Sequence, residues 1–206
     1  MIDVSIKKRF TTQKSASDNA TSCIVLPIFE SDLKTLSKYK MNGCFSDLLS
    51  CALKENRIKA DRSTFTHFSL PIDGALCHLV LLGLGKKEKS FTLDRLRQVS
   101  GDLIRRLRQK KLNQVDIELT NTLKTLASDK EILQVMTEGI LLGDYQLPSF
   151  KQKKEETSKK NKIDIAFLLD KPSQSLSQSI KKAKQLTKAI DLGRNLANLP
   201  ANLCAP

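Results

Sequence analysis

Three short apolar runs constrain this chain more than any other feature: Cys23 to Phe29, Ala75 to Leu82 and Ile163 to Leu169. Each has strand length, and apolar character without strict alternation suits a strand covered on both faces. Pro27 interrupts the donor pattern of the first run, because proline cannot give a hydrogen bond to a ladder. Between and around the runs lie patterns of a different period. Ile2, Val4 and Ile6 alternate with polar residues and predict a first strand. Val115, Ile117 and Leu119 predict another. Leu93, Leu96, Val99, Leu103, Ile104 and Leu107 trace one face of a helix from about Thr92.

Four further segments complete the pattern. Ser46 to Asn56 reads as a helix capped by Ser46, with Leu48, Leu49, Ala52 and Leu53 on its apolar face. Thr64 to Leu70 reads as a strand, and Pro71-Ile72-Asp73-Gly74 as the turn joining it to Ala75–Leu82 in a hairpin. Ser128 and Glu131 have capping-box spacing ahead of Ile132, Leu133, Met136 and Ile140. A long helix is expected from about Ser173 to Asn195, carrying Leu176, Ile180, Ala183 and Ile190. Strands alternating with helices predict an α/β fold: a mixed sheet flanked by helices, followed by a long connector helix. The expected organisation is a domain over residues 1–170, a connector over 171–196 and a distinct tail over 197–206.

Composition narrows the class. Nothing approaches the ~20 apolar residues of a membrane span, and Lys7, Lys8 and Arg9 precede a polar stretch rather than a signal-peptide core. A cytoplasmic, membrane-free protein is expected. Five cysteines without Cys-x-x-Cys spacing predict reduced, buried thiols. Lysines dominate Lys151 to Lys162, which has no large apolar residue and is expected to be a solvated loop.

The candidate chemistry is thin. The formal charge of +13 is concentrated in Arg95 to Lys111, Lys151 to Lys162 and Lys181 to Lys188. On helices these are expected to be solvated faces, and without aromatic partners any nucleic-acid contact is expected to be weak and electrostatic. Gly83-Leu84-Gly85-Lys86 follows a strand and precedes a helix, the context of a phosphate loop. Glu88 stands where a dinucleotide fingerprint needs its third glycine, so a tight turn is the plainer reading. A zinc site from His67, Cys77 and His78 is opposed by adjacency: Cys77 and His78 on one strand point to opposite faces. Each histidine is expected to be a packed, hydrogen-bonded residue, and no catalytic or metal-ligating set stands out.

The tail carries the most specific signal. Arg194-Asn195-Leu196-Ala-Asn198-Leu-Pro200-Ala-Asn202, followed by Pro206, resembles the segment that opens the catalytic domain in the leucyl aminopeptidase (cytosol aminopeptidase) family; Asn195 replaces the more usual Asp. Gly83-Leu84-Gly85-Lys86 resembles that family's strand-end element. Glu138-Gly139 through Gly143-Asp144-Tyr145, with Phe150-Lys151, resembles its helix ending in Tyr and a Phe-Lys pair. The resemblance implies a macro-domain-like N-terminal domain that is itself non-catalytic and serves assembly and active-site access. It implies a parent enzyme with two divalent metals, zinc or manganese, a hexamer acting on peptides, and a catalytic domain that begins at the tail. The family's metal-ligand blocks do not occur in this sequence. Two other readings remain open: a nucleotide or ADP-ribose module using the Gly83–Lys86 turn, and a basic nucleic-acid-binding domain.

Overall fold

The computed structural model describes residues 2–8, 23–36, 43–72, 74–88, 91–146 and 162–199. Six strands form one sheet: β1 (Ile2–Lys8), β2 (Cys23–Phe29), β3 (Phe65–Ile72), β4 (Ala75–Gly85), β5 (Gln114–Glu118) and β6 (Ile163–Leu169). Their order is β1-β6-β5-β2-β4-β3. Every pairing is parallel except β3 with β4, which is antiparallel. This is the mixed sheet expected from the runs, with the hairpin supplying its edge.

The helices lie on both faces. α1 (Gly43–Lys54) places Phe45, Leu49 and Ala52 in a cluster with Leu26, Ile28, Leu79 and Leu81. On the opposite face α2 (Leu93–Gln109), α4 (Asp129–Gly143) and α5 (Gln174–Ala197) pack over Val25, Val80, Ile117 and Phe167. A short helix, α3 (Asn121–Lys124), opens where the Thr120 hydroxyl accepts the Leu123 amide. Because β2 and β4 are sandwiched between helices on both sides, their residues of either parity are buried, and that is why their sequences do not alternate.

Local chemistry sets the ends. The Thr92 hydroxyl accepts the Arg95 amide at the start of α2. Ser128 and Glu131 form the reciprocal capping box at α4. Three details differ from the sequence expectations. α1 starts at Gly43, not at a Ser46 cap, because burying Phe45 extends the helix back by a turn. The hairpin turn is tighter than Pro71–Gly74: pairing runs through Pro71–Leu76 and Ile72–Ala75, and Gly74 takes φ +79°. Pro71 is tolerated because β3 is an edge strand. β4 continues past Leu82 to Gly85, where the chain before β3 pairs with its backbone.

Pro27 sits beyond the rungs that β2 shares with β5, which cover Cys23–Val25. Its missing donor removes no bond on that side. Cys23 and Cys77 are buried, but Cys51 is exposed, since it lies beside rather than on the Leu49–Ala52 stripe of α1. Burial, with Asp116 adding to it, pushes the Cys23 thiol pKa up to about 12, so this thiol is chemically quiet. The Lys151–Lys162 expectation falls outside the described residues except at Lys162, an exposed residue bridged to Asp164 at 2.9 Å.

Candidate interdomain interface

α5 divides along its length. Its first half buries Leu176, Ile180 and Ala183, and Thr187 turns its hydroxyl to the Ala183 carbonyl. The second half exposes apolar side chains instead: Leu186 at 45%, Leu192 at 61% and Leu196 at 54%. Scattered exposed leucines are ordinary on a protein surface. Three on a single stretch of eleven residues, held rigidly on a helix, form a face that a partner can cover.

The same stretch is anchored to the end of α4 by polar contacts. Tyr145 Oη donates to Asn195 Oδ1 at 3.1 Å. The Arg194 guanidinium lies 5.1 Å from the Tyr145 ring centroid and reaches the Leu142 carbonyl at 3.5 Å. Asp144, one residue before Tyr145, is clasped by Arg108 of α2, with Nη2 to Oδ2 at 2.7 Å. Asn198 closes α5: its Nδ2 donates to the Arg194 carbonyl at 2.7 Å. A cleft of about 530 Å³ separates the two helices at this point, lined by Asp144, Tyr145, Lys184, Asp191 and Asn195 among others. Burial raises the Asp191 carboxyl pKa, nearby Asp144 adds to the rise and Arg194 opposes it. At 3.5 Å Arg194 and Asp191 form an ion pair, yet Asp191 Oδ1 has no hydrogen-bond partner.

Below this cap, α2 and α4 approach closely at glycines. A Cβ on Gly139 would lie 2.2 Å from the Arg97 carbonyl oxygen, and one on Gly143 would lie 2.6 Å from Gly101 Cα. Glu138, 3% exposed, is gripped by Arg97 through Nε at 3.0 Å and Nη2 at 2.9 Å, and accepts Gln134 Nε2 at 2.8 Å. Burial works against the Arg97 charge, but Glu138 and Asp94 outweigh it and hold its pKa above the ordinary value.

The tail residues singled out in the sequence are therefore only partly placed. Arg194 and Asn198 order the end of α5, and Leu196 is exposed. Pro200 and Asn202 lie outside the described residues, as do Phe150 and Lys151. The basic stripe on α2 is not a uniform solvated face. Arg97, Arg105 and Arg108 are ion-paired with Glu138, Asp102 and Asp144, and Arg106 lies over Phe65. Asp102 lies on α2 itself, but spacing along that helix could not reveal Glu138 and Asp144, which α4 and its C-cap supply.

Gly83 to Gly85 is the end of β4, neither a phosphate-cradling loop nor the tight turn expected from the sequence, and Lys86 follows it. Gly83 N–H donates to the Thr64 carbonyl at 2.9 Å and Gly85 N–H to the Ala60 carbonyl at 2.7 Å, so both amides are already engaged. A Cβ at Gly83 would meet Thr64 Oγ1 at 2.1 Å and the Asp61 carbonyl oxygen at 2.2 Å. The glycine permits that close approach. Cys77 points into the α1-side cluster, away from His78. His67 and His78, read as separate packed residues, meet instead: Nε2 of His67 is 3.0 Å from Nδ1 of His78. Burial lowers the pKa of both, and for His67 the neighbouring His78 and Lys110 lower it further.

Against this geometry stands the comparison with known proteins. Residues 25–154 match the family model described as the cytosol aminopeptidase family, N-terminal domain. The chain belongs to the cytosol aminopeptidase family. Among the relatives of this family member are probable cytosol aminopeptidases of Sulfurihydrogenibium sp. (strain YO3AOP1) and Aquifex aeolicus (strain VF5). The first is 29% identical over 93% of this chain and 38% of its own length. The second is 31% identical over 87% of this chain and 34% of its own length. The chain thus spans under two-fifths of either relative. The fold matches a tomato leucine aminopeptidase mutant at TM-score 0.69 and 20% identity, covering all of this chain and 40% of that one. It also matches a bottromycin maturation enzyme solved with Mn, at TM-score 0.56 and 17% identity, covering 91% of this chain and 34% of that one.

The residues present do not fit the pair of divalent metals that the resemblance implies for a parent enzyme. The ligand blocks are not in the sequence, and among the described residues no group of three or more His, Cys, Asp or Glu side chains could hold a metal ion. Among the same residues no helix is long and apolar enough to cross a membrane.

Proposed function

We propose that this chain is the non-catalytic N-terminal domain of a cytoplasmic two-metal aminopeptidase, and that the second half of α5 is the face on which the catalytic portion docks. The observation that carries the reading is the contrast along α5. Leu176, Ile180 and Ala183 are buried, whereas Leu186, Leu192 and Leu196 are solvent-facing on a segment pinned by Tyr145, Asn195 and Arg194. About half of each of these side chains is still exposed, so covering the rest would stabilise a docked partner by about 1 kcal/mol per leucine, before the cost of association.

In this reading residues 1–170 form the packed domain, 171–196 the connector and 197–206 the entry to the catalytic portion. The parent would remove N-terminal residues from peptides, with the Lewis-acid chemistry of two divalent ions supplied by residues outside this chain. This domain contributes no ligand to them; it aids assembly and restricts access to the active site. The experiment is hydrolysis of leucine p-nitroanilide by the purified 206-residue chain with added Zn²⁺ or Mn²⁺. The expected result is a rate equal to the metal-only blank. Chelator-sensitive turnover proportional to chain concentration would place a working active site in this chain and overturn the reading.

A further inference from the structure

The β3–β4 hairpin brings together three donor atoms that the proposed role does not use. Antiparallel pairing puts Ser69 directly opposite His78 and His67 opposite Val80, so His67, Ser69 and His78 share one face of the sheet edge. Nε2 of His67 and Nδ1 of His78 are 3.0 Å apart. Ser69 Oγ lies 2.8 Å from the latter and 3.3 Å from the former. The three atoms form a triangle.

Donors bound to one ion at about 2.0–2.1 Å, with the 90–110° angles of square-planar to tetrahedral sites, lie roughly 2.9–3.4 Å apart. The triangle has nearly these edges, so it is the size of one face of a coordination shell. The scaffold is held by the ladder between β3 and β4 and by the pairing of β4 with β2 on its other side. Ser69 is exposed and His67 half-buried, which leaves water a path to the shell from their side, while His78 is buried behind them. Imidazole nitrogen selects late first-row divalent ions over calcium or magnesium. Burial disfavours the protonated rings, which keeps them in the neutral, ligating form near neutral pH. Lys110 opposes cation binding, but it is exposed and screened by solvent.

We propose that His67, His78 and Ser69 form a site at the sheet edge for one zinc-like divalent ion. In the apo state one imidazole donates to the other. Binding replaces that hydrogen bond with two metal–nitrogen bonds: the donor ring gives the proton on its metal-facing nitrogen to water and takes one up on its other nitrogen, so each ring stays neutral and no net proton is released. The proposal does not rest on the docking role of α5.

The chain has two histidines, which makes imidazole nitrogen NMR decisive. Zn²⁺ is titrated into the reduced chain in a Cys44→Ser, Cys51→Ser, Cys204→Ser background, which leaves the buried Cys23 and Cys77 as the remaining thiols. One equivalent is expected to shift His67 Nε2 and His78 Nδ1 together, with saturation at one ion per chain. His67→Gln is expected to weaken binding at least tenfold with the backbone spectrum preserved, and Ser69→Ala to weaken it severalfold. Imidazoles unmoved by excess zinc, a shift of one ring alone, or unchanged affinity in both variants would overturn the site.

Discussion

Tyr145 and Asn195 are fifty residues apart in the chain, yet the Tyr145 hydroxyl donates to the Asn195 amide oxygen at 3.1 Å. The bond ties the residue that follows α4 to the last turns of α5, with Arg194 stacked on the same ring. Tyr145→Phe keeps the ring and removes the donor. It is expected to destabilise the domain by about 1 kcal/mol. Tyr145→Ala should cost more, because the Arg194 contact goes as well. Urea unfolding monitored by circular dichroism distinguishes the two, and protection of α5 amides in hydrogen exchange should fall in the same order.

Gly139 permits the crossing of α2 and α4. An added methyl would stand 2.2 Å from the Arg97 carbonyl oxygen, a backbone atom that cannot rotate aside. Gly139→Ala is therefore expected to destabilise by about 1–3 kcal/mol despite alanine's better helix propensity. Gly193, which has nothing near its Cβ position on α5, is the control: Gly193→Ala should stabilise slightly. Thermal unfolding of the pair checks the contrast.

The histidine pair sets a pH dependence. Both folded-state pKa values lie below 6.5, the ordinary value of a histidine, chiefly through burial. The unfolded chain therefore binds protons first as pH falls. Stability is expected to be highest above about 6.5, to decline as pH drops through that value, and to stop changing from this source below the folded pKa values. Asp191, whose pKa is raised, works in the opposite sense: its ionised form is disfavoured in the fold, and stability from it grows as pH falls towards 3.8. Unfolding midpoints between pH 7.5 and 5 should fall in the native chain and fall less steeply in His67→Gln, where His78 alone remains.

Much of the fold is legible in the sequence because burial on two faces leaves a one-dimensional trace. Leu79 to Leu82 and Ile163 to Leu169 read as covered strands, and Leu96, Val99, Leu103 and Leu107 mark the face of α2 that enters the core. The Ser128–Glu131 box marks a helix start without tertiary help. What escaped depends on register or on a second element. Placing the turn over Pro71–Gly74 hides the opposition of Ser69 to His78, which follows only once Ile72 pairs with Ala75. The grip of Arg97 on Glu138 needs two helices forty-one residues apart. Gly83 reads as a loop glycine because the chain that crowds it, Ala60 to Thr64, is remote in sequence.

The docking face is the core of the account, and titration calorimetry tests it most directly. The 206-residue chain is titrated with the separately produced remainder of the Sulfurihydrogenibium relative, the part of its length that this chain does not match. Measurable binding is expected for the native chain. The pair Leu192→Glu and Leu196→Glu should weaken it at least tenfold, whereas Gln178→Glu, on the exposed side of the first half of α5, should not. Unchanged affinity in the double variant, with its circular dichroism intact, would contradict the assignment of α5 as the interdomain face.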